Sequence, residues 1–396
     1  MLYLNYPSMG VPDSDSLKKI SSFIEKLPVN IKGAAEDYAI ELVQCVEDVR
    51  EKIAEIYGVS SKNIAFINNT TEGLGLIASA IKSSGIKTNV LVPDIEFISS
   101  SLVWSGHANQ IDFVVTKDGK VDPTGIYREL TKGANNILSM SSVQEVSGYR
   151  FSFQDLLGGY QKKENEFWII DGIQEAGVLW RDMKQDQIDA YIVGGHKWLN
   201  SPFGLGFMYM SDRLLQVIEP PFKGYFNLEE PDGGWVAYLE SRNHQRSQLL
   251  DQPLQDGACV FEPGGMVNAI GAMMIGEAMD NWEKFGISNA ENHVLELREL
   301  FQQRVHLGNE FRLMPKNEKN WSSILTITSL LGVEFERILA ENLAKRGFKV
   351  SLRSVESIGG VRFGFHYTTT KKDVEYFATE LNSILAGIRE MALPKH

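Results

Sequence analysis

Apolar residues along this chain follow two rhythms. Between residues 60 and 210 they come as short, nearly unbroken runs: Asn63-Ile64-Ala65-Phe66-Ile67, Asn89-Val90-Leu91-Val92-Pro93, Ile111-Asp112-Phe113-Val114-Val115, Ile137-Leu138-Ser139-Met140, Phe167-Trp168-Ile169-Ile170, Ala190-Tyr191-Ile192-Val193 and Leu205-Gly206-Phe207-Met208-Tyr209-Met210. Such runs, bounded by turn residues, predict strands of a buried sheet. The second rhythm is helical. From Glu36 to Tyr57, Ile40, Leu42, Val43, Val46, Val49, Ile53 and Ile56 mark one face, and a shorter helix is predicted over Leu74–Ser83. Strands alternating with helices predict an α/β fold whose mixed sheet is mainly parallel and flanked by helices.

The pattern changes twice after residue 210. Pro220 to Pro263 is irregular and polar, a length of loop usually tied to function or to an interface. Beyond it, helices are predicted at Ser288–Val305 (Ser288 as N-cap), Val333–Arg346 and Lys371–Ile388, and strands at Ser323–Thr328, Lys349–Leu352 and Gly360–Phe365. The division that follows is a large domain over 21–265 and a smaller α+β domain over 266–396, completed by the N-terminal segment 1–20.

Composition narrows the class. With 396 residues, 43% hydrophobic and 23% charged, the chain reads as a soluble globular protein. A net charge of −12 without a basic run argues against a nucleic-acid surface. The two cysteines, Cys45 and Cys259, form neither a disulfide framework nor a metal-binding spacing. No signal-like N-terminus and no bilayer-length apolar stretch is seen, so the expectation is a cytoplasmic protein with reduced thiols and no membrane or metal partner.

Candidate chemistry gathers where the strands end. Ala190–Val193 runs into Gly194-Gly195-His196-Lys197, and Phe167–Ile170 runs into Asp171-Gly172-Ile173-Gln174. A lysine at the mouth of a buried strand is costly to keep charged, so its amine can act as a nucleophile. Asp171 and Lys197 are 197 − 171 = 26 residues apart, room for one strand–connection–strand passage, which sets both at one sheet edge. An aspartate to pair with a pyridinium nitrogen and a lysine to form a Schiff base are the two groups that pyridoxal 5′-phosphate needs. After the Asn63–Ile67 strand, Asn68-Asn69-Thr70-Thr71 opens a helix. Thr70 and Thr71 read either as plain caps or as part of a phosphate site at the helix N-terminus. Thr71, Phe97, Gln144, Asp171 and Lys197 all fall at the carboxyl ends of strands, where ligands of such sheets lie.

Asp171-Gly-Ile-Gln174 and Gly194-Gly-His-Lys197 together resemble the cofactor motifs of the class V aminotransferase and cysteine desulfurase family, fold-type I enzymes of pyridoxal phosphate. The resemblance spans nearly the whole chain. It implies that Lys197 holds the cofactor and shuttles the α-proton, and that Asp171 keeps the pyridine nitrogen protonated. It further implies that Gln174 bonds the phenolic oxygen, His196 meets the phosphate and Phe97 stacks on the ring, although Phe97 also reads as a core residue. Where the family often carries Thr, this chain has Gly265, which leaves only a backbone amide to reach the phosphate of the other subunit of a homodimer. Gly194 likewise stands where a hydroxyl residue is common.

For the substrate, the resemblance puts Arg362 of Gly359-Gly360-Val361-Arg362 on an amino-acid carboxylate, with Arg353 as a second candidate, and brings the segment holding Asn5 close by. That segment reads equally as an arm packed on the small domain. Gln144 and Glu145 are expected at the pocket. Glu145 replaces an asparagine of the desulfurases and also reads as a solvated loop acid. His366 reads as a satisfied strand-end histidine. Desulfurases attack sulfur with a cysteine on the loop before the equivalent of Arg362, and Val350–Gly359 contains none. C–S β-elimination from an amino acid or cysteine conjugate is therefore preferred, with transamination and epimerisation as alternatives. A binding protein that has lost its chemistry is disfavoured by the intact Asp171 and Lys197.

Overall fold

The apolar runs form one seven-stranded sheet. Its strands are β1 (Ile64–Ile67), β2 (Asn89–Pro93), β3 (Gln110–Val114), β4 (Ile137–Ser141), β5 (Phe167–Asp171), β6 (Ala190–Gly194) and β7 (Gly206–Met210). The computed structural model describes residues 1–242, 246–356 and 358–392. The spatial order is β1-β7-β6-β5-β4-β2-β3, parallel throughout except for β7, which runs against both neighbours. Alternate residues feed opposite cores: Phe66, Trp168, Ile170, Tyr191 and Val193 enter one, and Ile67, Ile169, Ala190 and Ile192 the other. Burial on both faces is why these strands read as apolar runs and not as alternation. Edge strand β3 is the exception, and its Phe113 is exposed.

The helix predicted from Glu36 is the second half of a longer element, α1 (Ser14–Tyr57), which starts behind Asp13, whose carboxylate accepts from the amides of Asp15 and Ser16. At Ala34 the dihedrals leave the helical region (φ −159°, ψ 74°) and the chain turns back on itself. Phe23 then stacks on Tyr38 with centroids 6.2 Å apart, and Ser16 and Lys52 both reach α3 (Ala269–Phe285). The apolar face therefore packs only away from the turn. Val46, Val49, Ile53 and Ile56 are buried, whereas Ile40 and Val43, expected on that face, are exposed.

Two caps differ from expectation, and one bears on the site. Helix α2 (Thr70–Ser83) is capped by Asn69, whose side chain accepts from the Glu72 amide at 3.0 Å, so neither Thr70 nor Thr71 is used as the cap. Helix α4 (Ile287–Arg304) begins after Gly286 with no side-chain cap, leaving Ser288 inside the helix.

A four-stranded antiparallel sheet follows: β8 (Phe311–Met314), β9 (Ile324–Ser329), β10 (Ser351–Val355) and β11 (Ile358–Gly364), in the order β10-β11-β9-β8. With α4, α5 (Val333–Lys345) and α6 (Lys371–Ala392) it encloses a core that includes Phe301, Leu343, Phe363, Phe377 and Leu381. The N-terminal arm is seated here, with the Leu4 amide donating to Lys349 O at 3.0 Å and the Gly364 amide to Leu4 O at 2.9 Å. Most of Pro220–Pro263 is irregular, with a helix at Gly234–Glu240.

Candidate active site

Register brings the two central residues together. Asp171 ends β5, paired with Ser141 on one side and Ile192 on the other, and Lys197 follows β6 by three residues. Both line a cavity of about 330 Å³ at the carboxyl edge of the large sheet, beneath β11 of the small one. The arm crosses this edge tightly. The Gly10 amide donates to His196 O at 2.8 Å, and a Cβ on Gly10 would lie 2.0 Å from Lys197 O, so only glycine allows that approach.

The two charges are tuned by burial. Asp171 is 3% exposed and accepts from the Ile173 amide at 2.9 Å; burial pushes its carboxyl up to about 6, opposed by that hydrogen bond and by the Lys197 charge. Burial pulls Lys197 down to about 8, with Asp171 and Glu145 holding it from falling further. The aspartate is thus mostly ionised at neutral pH, and about a tenth of the lysine is a free amine. Neighbouring His196 is pulled down to about 4 by burial and by the Lys197 charge, so its imidazole is neutral, and it stacks on Phe203 at 4.8 Å.

The cavity fits an aromatic ring carrying a phosphate. Phe97 lies on its wall, its ring centroid 5.9 Å from Lys197 Nζ. The first amides of α2 have no intrahelical acceptor, and the Thr70 hydroxyl is buried without a hydrogen-bond partner among the described residues. A Cβ on Gly194 would sit 3.0 Å from that same hydroxyl. Thr71 bonds Ser99 at 2.8 Å, and both line the cavity. Gln174 is buried, donating to Pro7 O and accepting from Trp198 Nε1, each at 2.9 Å, which leaves one amide hydrogen.

Arg362, in the middle of β11 and 1% exposed, lines the cavity, as do Arg353 and Glu145. Two residues expected at this chain's own cavity, Gln144 and Asn5, stand elsewhere, and Gly265, expected at the other subunit's site, lies apart from it. Gln144 points away from the cavity: its amide donates to Ile95 O and accepts from the amides of Val146 and Ser147, stapling its own loop. Asn5 shapes the arm's turn through its carbonyl, which accepts from the Ser8 amide at 2.9 Å, and it is Pro7 and Ser8 that reach the cavity. Gly265 lines a separate cavity of about 560 Å³ together with Arg50 and Glu262. His366 is satisfied by Thr368 and by Trp198 O, and burial pulls it down to about 4. The cavity also contains Ser8, Ser99 and Ser141, which no motif marked. For Ser8 the only sequence signal is the Pro7-Ser8-Met9-Gly10 turn.

Neither cysteine belongs to this site. Cys259 lines the other cavity, its thiol pushed up to about 11 by burial, and Cys45 lies on α1. The pairing of β10 with β11 runs to Val355↔Ile358, so only positions 356 and 357 separate the two strands before Arg362.

Comparison with known proteins agrees with this geometry. The family described as aminotransferase class-V matches residues 3–377. A probable cysteine desulfurase of Methanothermobacter thermautotrophicus is 22% identical over 400 residues, covering 97% of this chain and 94% of the relative. Among solved structures, the cystine C–S lyase C-DES in complex with cysteine persulfide superposes with a TM-score of 0.80 at 16% identity, over 96% of this chain and 97% of its own. The cysteine desulfurase CsdA of Escherichia coli gives 0.78 at 19% identity, over 99% and 95%. At these identities the structural likeness is one of fold.

Proposed function

Because the chain belongs to the class V aminotransferase family of fold-type I pyridoxal-phosphate enzymes, we propose that it cleaves a carbon–sulfur bond of an amino acid or cysteine conjugate by β-elimination. Pyridoxal phosphate, when bound, supplies an electron sink for negative charge at the substrate α-carbon. Lys197 would hold it covalently, Asp171 would meet the ring nitrogen, Phe97 would cover a ring face, and Gln174 would donate its remaining hydrogen to the phenolic oxygen. Thr70, Thr71, the α2 amides and neutral His196 would receive the phosphate.

The chain's own groups then divide the work. The arginines orient the substrate carboxylate so that the α-hydrogen faces Lys197. Lys197 Nζ, once free, would take that proton as an amine and, as an ammonium, hand it to the departing sulfur, so that the C–H and C–S bonds broken are matched by an N–H and then an S–H bond formed. Asp171, as an anion, would keep a proton on the ring nitrogen. Loss of the thiolate from the β-carbon needs no protein nucleophile.

The observation that carries this reading is a Lys197–Asp171 cavity with no thiol on its wall among the described residues. Transamination shares every group except the destination of the proton. A panel of amino acids and cysteine conjugates separates the two. Pyruvate and ammonia with the resting spectrum restored means elimination; accumulation of the pyridoxamine form, rescued by a keto acid, means transamination and ends the lyase proposal.

The protein is further proposed to be a cytoplasmic homodimer. Phe222, Tyr225, Val236, Leu239 and Met266, all exposed, surround the stretch that leads to Gly265, which would meet the second copy's site. Among the described residues no helix is long and apolar enough to cross a membrane. A monomer by light scattering that retains full activity would remove the dimer proposal.

A further inference from the structure

Arg362 has a carboxylate partner within its own chain. Its Nη1 donates to Glu145 Oε2 at 3.0 Å and to Glu145 O at 2.9 Å, its Nη2 to Ser8 Oγ at 2.7 Å, and its Nε to Ser351 Oγ at 3.3 Å. The pairing is built into the fold. Gly148 has φ +71°, and a Cβ there would lie 2.3 Å from Ile324 O. Ser322 Oγ donates to Gly148 O at 2.7 Å and Thr326 Oγ1 to Val146 O at 2.5 Å, which fastens the Glu145 loop to β9, the strand beside β11. Gln144 braces the same loop from within. Glu145 is therefore held against Arg362 and does not move freely in solvent.

Arg353 differs. It is exposed, donates to Leu352 O and to Ser8 Oγ at 3.3 Å, and has no carboxylate within ion-pair distance among the described residues. This corner of the cavity thus contains two guanidinium groups and one carboxylate. One positive charge remains uncompensated there, and it lies on the more exposed side chain.

We propose that Glu145 is a specificity determinant that neutralises Arg362, so that the arginine corner accepts a single carboxylate and rejects substrates bearing a second one. The inference rests on the reading of the cavity as an amino-acid site, and it names the class: amino acids whose side chain is uncharged. An aspartate- or glutamate-like side chain would place its carboxylate against Glu145, and like charges juxtaposed in a desolvated site oppose binding.

The test is calorimetric titration of the cofactor-loaded protein with two unreactive probes, butanoate and succinate. Wild type should bind butanoate in preference to succinate, and the reverse order overturns the proposal. Glu145→Gln keeps the size and the backbone contact while removing the charge, and should tighten succinate by about tenfold or more, with a smaller gain for butanoate. Glu145→Asp, which keeps the charge, should retain the wild-type preference. Unchanged succinate affinity in Glu145→Gln, equal tightening of both probes, or weakening of both (the sign of a side chain that only props Arg362) overturns the proposal. Should Glu145→Gln not fold, Glu145→Asn removes the same charge. Absence of the cofactor's visible band from wild type would instead overturn the underlying reading, so the two failures are distinguishable.

Discussion

In the cofactor-free protein, Lys197 should react with electrophiles as though it were a weak base. Burial sets its titration near 8, against about 10.4 for a lysine in water. At pH 7 about one lysine in ten is then the free amine, compared with about one in 2,500 for a surface lysine, a nucleophile enriched roughly 250-fold. The sign follows from what burial penalises. The ammonium is the disfavoured form, so reactivity falls tenfold per unit as pH drops below about 8 and is flat above it. Asp171, mostly ionised at neutral pH, is the largest influence opposing burial, so Asp171→Asn should move the midpoint lower still. The assay is competitive labelling with a small acylating reagent from pH 6 to 11, quantified by mass spectrometry of the Lys197 peptide against surface-lysine peptides of the same digest. Labelling of Lys197 that climbs to pH 10 in step with the surface lysines refutes the reasoning, as does an Asp171→Asn midpoint that rises.

Other outcomes follow from the same geometry. In the loaded enzyme, Asp171→Asn should retain cofactor but slow α-proton exchange by about a hundredfold or more, measured by deuterium washout, because an amide cannot hold the pyridinium charge as it is needed in the transition state. Replacing both Cys45 and Cys259 by serine should leave turnover within about twofold, since neither thiol lines the Lys197 cavity; loss of product formation would point to a sulfur nucleophile. Glu262→Ala leaves the Phe66 amide unpaired and removes the 2.6 Å partner of buried Arg50, so urea unfolding should show a loss of about 3 kcal/mol, with equal stability contradicting the pairing.

What the sequence reveals here depends on how local the physics is. Strands buried on both faces announce themselves as apolar runs, and their ends place Asp171 and Lys197 without any knowledge of the rest. The first half of α1 is hidden because Pro28 and Gly33 look like punctuation, and because Ala34, where the chain turns back, carries no turn chemistry. Thr70 and Thr71 could not be separated from caps until Asn69 was seen to take that role. Gln144 fell on the right loop but faces the wrong way, since one residue decides whether a loop amide points to a ligand or to its own backbone. Arg362 meets Glu145 and Ser8 only through tertiary contact, across 217 and 354 positions of sequence, and no periodicity encodes that meeting.

The central claim is that Lys197 is the residue that binds the cofactor, and the most direct measurement is made on the purified, reconstituted protein. Its visible absorption is recorded, borohydride is added, and the digested protein is searched for a peptide carrying the mass of reduced pyridoxal phosphate. The account predicts that the visible band disappears on reduction and that the adduct is on Lys197 in Gly194-Gly195-His196-Lys197, with Lys197→Ala giving no adduct at any position. A colourless protein after reconstitution, or an adduct fixed on another lysine, would contradict it.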